Sequence, residues 1–341
     1  MEARRDALPD GAGALVRRGT ILVTGGNSGI GFECVRRLAR EQYRIIIASR
    51  DRAASAAAVE RIKAETGNDG ITEMGLDLGS LATVRAFVRE IEARDVALHA
   101  LVCNAGLQTG RGLVLTPDGF ERTFAVNHLG HFLLVNLVLR RLLANTPARV
   151  MIVASGVHDP KLRTGMPNPD IAHFDVLATT GGPRQNAFDG RLAYVNSKLC
   201  NLWFTYELGR RLAAAGLVSK ERPLSVNAYE PGLVPGSGLA REYPPALRWI
   251  WLRVLPAVAR IATRFTPTIN PADKAGGALA RLVIDPALER ISGRYFPSHA
   301  RWGEAPSSEA SYDEGRAAAL WEASVRMTRL APDESPLVRA A

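Results

Sequence analysis

Cysteine and lysine are scarce in this chain of 341 residues, and long apolar runs are missing altogether. The three cysteines, Cys34, Cys103 and Cys200, lie far apart with neither paired nor metal-like spacing. That excludes a disulfide framework and a cysteine-based zinc site, and it predicts buried thiols in a reducing compartment. No window offers the ~18 uncharged apolar residues that a membrane-spanning helix needs. The first 18 residues are charged and hold no apolar segment of signal-peptide length. The chain is therefore expected to be soluble and cytoplasmic, touching a membrane at its surface at most. Only five residues are lysine, so arginine supplies most of the net charge of +9. The arginines are spread along helical faces (Arg36, Arg37, Arg40; Arg85, Arg89) rather than clustered with aromatics, so a nucleic-acid partner is not expected.

The 47% hydrophobic content is enough for one large α/β domain, and no break in composition marks a second. Residues 1–19 read as an N-terminal extension, 20–330 as the domain and 331–341 as a frayed tail. Thr20 to Thr24 is a short β-branched run of the kind found in buried parallel strands. Gly25-Gly26-Asn27-Ser28-Gly29-Ile30-Gly31 follows directly, and then a helical pattern through Cys34, Val35, Leu38 and Ala39. Strand, glycine turn and helix in that order aim free backbone N–H groups at a phosphate. Gly25, Asn27, Ser28, Gly29, Ile30 and Gly31 are thus candidate dinucleotide contacts.

A second strand, Arg44 to Ala48, ends at Ser49-Arg50-Asp51, where such folds read the adenosine ribose. Arg50 comes before the carboxylate, and a guanidinium suits a 2′-phosphate, so NADP(H) is expected in preference to NAD(H). Ile71 to Leu76 is a third strand running into Asp77-Leu78; the carboxylate there can meet the adenine amino group or cap the next helix. Ala100 to Cys103 leads into Asn104-Ala105-Gly106, whose small side chains leave room for a flat cofactor. Phe120 to Leu143 is a long helical pattern interrupted by Asn127, a locally unfavourable helix residue that suggests a disturbed carbonyl or a held water. His128 and His131 in that run lack partner ligands nearby, so they read as ordinary histidines and no metal site is expected. Val150 to Ala154 delivers Ser155 to the carboxyl end of a fifth strand. A long polar loop follows at 156–189.

The helix from Tyr194 carries Tyr194-Val195-Asn196-Ser197-Lys198. Tyrosine and lysine four apart share one side of a helix. An ammonium so placed favours phenolate and lowers a tyrosine pKa from its free value of roughly 10, which suits proton exchange with an alcohol or ketone oxygen. A sixth strand, Leu224 to Ala228, reaches Pro231-Gly232. The stretch Tyr243 to Phe265 is basic and amphipathic, with Leu247, Trp251, Val254, Val258, Ile261 and Phe265 in a stripe and Pro256 breaking it in two. It reads as a substrate lid, an interfacial membrane helix, or a helix packed on the core or a second subunit.

These motifs in this order resemble the short-chain dehydrogenase/reductase family over about residues 20–297. The resemblance implies one Rossmann-type, doubly wound domain with a seven-stranded parallel sheet, helices on both faces and a helical lid, with substrate loops at 156–189 and 236–265. It also implies roles: Tyr194 as general acid, Ser155 on the substrate oxygen, Lys198 on the tyrosine and the nicotinamide ribose, and Asn127 on a water in a proton relay. Within the family, Ile47-Ala48-Ser49-Arg50-Asp51, Asn127-His128-Leu129-Gly130-His131-Phe132 and Ala319-Leu320-Trp321-Glu322 are most similar to the retinol dehydrogenase and light-dependent protochlorophyllide reductase branch. Leu233 stands where the pigment enzymes carry a cysteine. The implied activity is an NADP(H)-dependent ketone or aldehyde reductase for a bulky apolar carbonyl or alcohol. A pigment reductase and a non-catalytic NADP-binding regulator are the alternatives. Family members commonly pair through helices, which leaves a homodimer open.

Overall fold

The computed structural model describes residues 19–110, 112–181, 188–236, 246, 249–266 and 268–338. Strand β1 (Thr20–Thr24) takes the centre because its apolar run is buried on both faces. Around it lie β2 (Arg44–Ser49), β3 (Ile71–Gly75), β4 (Leu98–Cys103), β5 (Ala148–Val153), β6 (Leu224–Glu230) and the short β7 (Tyr295–Pro297). All pair in parallel in the order β3-β2-β1-β4-β5-β6-β7, so the winding reverses between β1 and β4. The seven-stranded doubly wound sheet is the one the motifs imply.

Side chains alternate between two cores, as strand geometry requires. Ile21 and Val23 join Phe32, Val35, Val59, Leu279 and Val283 on one face. That face is covered by α1 (Gly29–Arg40), α2 (Arg52–Thr66) and a helix at Ala272–Ile284. Leu22 joins Phe87, Phe132, Leu139 and Phe204 on the other. That second face is covered by α3 (Leu81–Ala93), by α4 over residues 122–144, and by the long helix Gly190–Ala214. Helix α4 is not uniform. It opens with Arg122–Phe124, widens into a π-turn at Ala125–Leu129, and continues as Gly130–Ala144. The π-turn is where the sequence shows its misplaced asparagine.

Three sequence-based expectations need correction. The 156–189 stretch is not plain loop: it holds 3-10 turns at Gly156–His158 and Pro160–Leu162 and a helix, α5, at Phe174–Thr180. Residues 182–187 lie outside the described part. The supposed frayed tail is packed as far as 338. Leu337 is buried, Ser335 Oγ donates to Asn136 Oδ1 at 2.8 Å, and Arg85 grips the Glu334 carboxylate at 2.8 and 3.0 Å. Helix Gly190–Ala214 (α6) starts four residues earlier than Tyr194, because Asp189 caps it by accepting from Arg191 N at 2.8 Å.

After β6, a π-turn at Ile250–Val254 passes into α7 (Leu255–Ala262), with Pro256 in its first turn as a proline break demands. Leu247 of the predicted stripe lies outside the described residues. Helix α8 (Ala272–Ile284) and a last helix, α9 (Glu314–Thr328), complete the order. Trp321 of α9 is buried edge-on against Phe132, with ring centroids 5.0 Å apart, so the C-terminal segment closes over α4 and α6. Among the described residues no helix is long and apolar enough to cross a membrane.

Helices α1 and α8 touch through Gly276, where an added Cβ would come within 2.7 Å of Cys34 N and Ile30 O. Its neighbour Gly277 faces open space. Gly276→Ala is therefore expected to destabilise the fold by about 1–3 kcal/mol through overpacking. Gly277→Ala should stabilise it by about 0.5 kcal/mol through lower chain entropy. Urea denaturation of the two variants, read side by side, checks both signs.

Candidate active site

Open parallel sheets bind ligands outside the carboxyl ends of their strands, at the point where the winding reverses. A cavity of about 950 Å³ opens there. Gly25, Asn27, Ser28, Gly29, Ile30, Gly31, Arg50, Asp77, Leu78, Asn104, Ala105, Gly106, Ser155, Tyr194, Lys198, Pro231 and Gly232 all line it. Asn127 alone among the residues predicted from the sequence does not.

The glycine turn is locked to the neighbouring strand. Gly25 holds φ +66°, and a side chain there would press on Ala105 Cα at 3.1 Å. A Cβ on Gly31 would collide with Gly25 O and Asn104 Nδ2. Asn104 Nδ2 donates to Thr24 O at 2.9 Å, while Asn104 N and Ala105 N both donate to Thr24 Oγ1 at 3.0 Å. Only glycine fits at these two positions, and the turn is thereby drawn against the end of β4 beside the N-terminus of α1, where the helix dipole favours an anion. The residues fit a dinucleotide phosphate.

At the far rim of the cavity Arg50 is exposed, and the Asp51 carboxylate is committed to capping α2, accepting from Ala54 N at 2.9 Å. Asp77 accepts from Gly79 N at 2.9 Å and so holds the turn after β3, whereas Ser80 is the residue that caps α3.

At the other end Ser155, Tyr194 and Lys198 converge from β5 and α6. Lys198 is buried, its Nζ donating to Val153 O at 2.9 Å and lying 5.5 Å from the Tyr194 ring centroid. Burial pushes its pKa down from 10.5 to about 8. Asn127 works from behind. Its Oδ1 accepts from Leu107 N, and its Nδ2 donates to Leu107 O and Ser197 Oγ, each at 2.9 Å. The side chain is thus committed to the protein, which leaves the main-chain carbonyl, set free by the π-turn, as the part that meets the polar network. His131 Nδ1 lies 3.2 Å from that carbonyl, and Asn201 donates to it at 3.0 Å when its amide is turned to satisfy both ends.

Sequence reasoning missed several supports. His131 is not idle: with its pKa pushed down to about 4 by burial it is neutral, so Nδ1–H donates to Asn127 O and Nε2 accepts from the Thr24 hydroxyl at 2.9 Å. That single ring joins the glycine turn to the π-turn. His158, equally buried, has Nδ1 at 2.6 Å from Ser155 O and accepts from Ser308 N at 3.1 Å through Nε2. Burial lowers its pKa too, consistent with the neutral tautomer. A histidine three residues after a strand-end serine was the available signal; its partner 150 positions away was not. Leu162, Met166, Leu233, Trp251 and Ile269 also line the cavity, beside Arg163, Thr164, Thr268, Ser298 and His299, and Trp251 brings the 236–265 segment to its wall. Among the described residues no group of three histidine, cysteine or acidic side chains could hold a metal.

Known proteins resemble this chain in sequence and fold. The family model described as short chain dehydrogenase matches residues 19–164. The WW domain-containing oxidoreductase of Gallus gallus is 36% identical over 311 residues, covering 91% of this chain and 68% of that protein. Retinol dehydrogenase 13 of Homo sapiens is 32% identical over 330 residues, 94% of this chain and 86% of that one. A solved structure of an uncharacterized protein from Mycobacterium Paratuberculosis superposes with TM-score 0.66 at 28% identity, over 94% of this chain and 96% of its own.

The depressed Lys198 pKa has a consequence for stability. Below about pH 8 the ammonium exists in both folded and unfolded chains, and the fold bears its full desolvation cost. Between about 8 and 10.5 the folded chain has lost that proton and the unfolded chain retains it, so this group makes stability rise with pH. Lys198→Met should be more stable than the parent at pH 7 by a few kcal/mol, and the gap should close by about pH 10.5. Thermal melts of the two proteins across that range test it.

Proposed function

The chain belongs to the short-chain dehydrogenase/reductase family, on its retinol dehydrogenase-like branch, and from that membership and the cavity we propose that it is an NADP(H)-dependent reductase of bulky apolar ketones or aldehydes, running equally as an alcohol dehydrogenase. The observation that carries the reading is that Ser155, Tyr194 and Lys198 line one cavity together with the glycine turn Gly25 to Gly31, which would seat a phosphate. When bound, a nicotinamide dinucleotide supplies the hydride that turns C=O into CH–OH. Gly25 to Gly31 would hold its pyrophosphate, Asn104 to Gly106 would lie along its length, and Pro231-Gly232 would turn the chain over the nicotinamide end.

The protein's own part is positioning and proton handling. Ser155 donates to the substrate oxygen and opposes the negative charge that develops there. Tyr194 gives its hydroxyl proton to that oxygen, and the Lys198 ammonium beside its ring favours the anion left behind. Neutral His158 fixes the Ser155 backbone, and neutral His131 with Asn127 fixes the π-turn that supports Lys198 through Ser197. The NADP(H) preference is supported by Arg50, an exposed guanidinium lining the cavity that suits a 2′-phosphate, while Asp51 beside it is engaged in the α2 cap. Leu233 at the cavity wall supplies an apolar contact and no proton, which favours the carbonyl reading over pigment reduction.

Tyr194→Phe should remove at least about 99% of turnover while NADPH affinity changes less than about threefold; turnover that survives the substitution would reject the assignment. Arg50→Ala is expected to weaken NADPH about tenfold or more and NADH hardly at all. Fluorescence titration with both coenzymes separates the two.

A further inference from the structure

Of the thirteen large apolar side chains exposed among the described residues, seven fall between Trp249 and Phe265. Ile250, Val254, Val258, Ile261 and Phe265 recur at steps of four, four, three and four along the π-turn and α7, so they form one stripe facing away from the core. Phe265 is 84% exposed and Ile261 61%. A stripe of this kind normally packs inward; here it points out.

Charge decides what covers it. From 243 to 272 the sequence holds no aspartate or glutamate, while Arg253, Arg260 and Arg264 are all exposed beside the stripe. Among the described residues no ion pair involves any of the three. A second copy is a poor occupant, because a two-fold pairing sets the patch against itself and brings arginines to arginines. An anionic lipid surface matches both parts: acyl chains take the apolar side chains, headgroups take the guanidinium groups, and Trp249, 61% exposed, suits the boundary between them. The stripe also lies beside the cavity: Trp251, next to Ile250 and turned off the stripe, lines the cavity with Leu162 and Leu233, which are themselves exposed.

We propose that this face docks on anionic membrane with the cavity mouth towards the lipid, so that an apolar carbonyl compound enters from the bilayer rather than from water. The route for substrate rests on the reductase reading above; the docking itself does not.

The full chain is mixed with phosphatidylcholine vesicles, with and without phosphatidylserine, and bound protein is measured by flotation. Binding is expected with phosphatidylserine and not without it, and it should collapse in 1 M salt, where the screening length falls to about 3 Å. The triple variant Arg253→Gln, Arg260→Gln, Arg264→Gln should lose on the order of a hundredfold in affinity for these vesicles. Phe265→Ser with Ile261→Ser should lose about tenfold or more. NADPH binding, unchanged in both, shows that the variants are folded. Failure of the parent to float, or flotation that survives both sets of substitutions, overturns the proposal. So does a stable dimer in sedimentation that Phe265→Ser abolishes, because the stripe is then an interface between copies. Flotation without any carbonyl turnover would leave the docking standing and reject the reductase.

Discussion

One hydroxyl holds the glycine-turn end of the molecule in shape. Thr24 closes the central strand, and its Oγ1 receives the backbone N–H groups of Asn104 and Ala105 while facing the His131 ring. Three separate pieces of chain meet at that atom: β1, the end of β4 and α4. The glycines matter because of this bond, since Gly25 and Gly31 sit where the two chain ends are drawn together and a Cβ has nowhere to go. A phosphate seat made this way is preorganised by hydrogen bonds at the strand ends, and α1 then contributes its dipole at no further cost in order.

The end that holds Ser155, Tyr194 and Lys198 is built on a different principle. There the protein buries charge and lets solvation do the tuning. Lys198 loses water, gains only one backbone carbonyl, and its pKa falls to about 8. His131 and His158 lose water too, which pushes both imidazole pKa values down and favours the neutral ring, each with one donor and one acceptor used. The contrast is useful chemically. Neutral connectors hold the geometry while the lysine beside the tyrosine responds to its surroundings.

Much of this was legible in the sequence, and the boundary is physical. The strands, the glycine turn and the tyrosine–lysine pair are local patterns, set by periods of two and 3.6 and by spacings of a few residues. They place every residue predicted for the site except Asn127 along the cavity. What was not legible depends on partners far along the chain. His158 acquires its meaning from Ser308, Arg85 from Glu334 and Asn136 from Ser335, and none of these pairs leaves a mark in a window of twenty residues. The C-terminal stretch looked frayed because its polar residues give no periodic signal, although Leu337 and Ser335 are buried. In the 156–189 stretch, short 3-10 turns and a seven-residue helix fall below the length at which periodicity speaks. Asn127 was recognised as out of place in a helix, yet neither the kind of distortion nor its side-chain partners could be read from its neighbours.

The wide turn at Ala125–Leu129 amounts to one surplus residue in an otherwise regular spiral, with the Gly130 N–H reaching back five positions to Ala125 O. Everything downstream of it is rotated by about 100° relative to an unbroken helix. Exchanging side chains within the turn leaves that phase intact, whereas gaining or losing a single codon there would swing Asn127 and His131 onto different faces. The two ends of the cavity are thus indexed to each other by a count of residues.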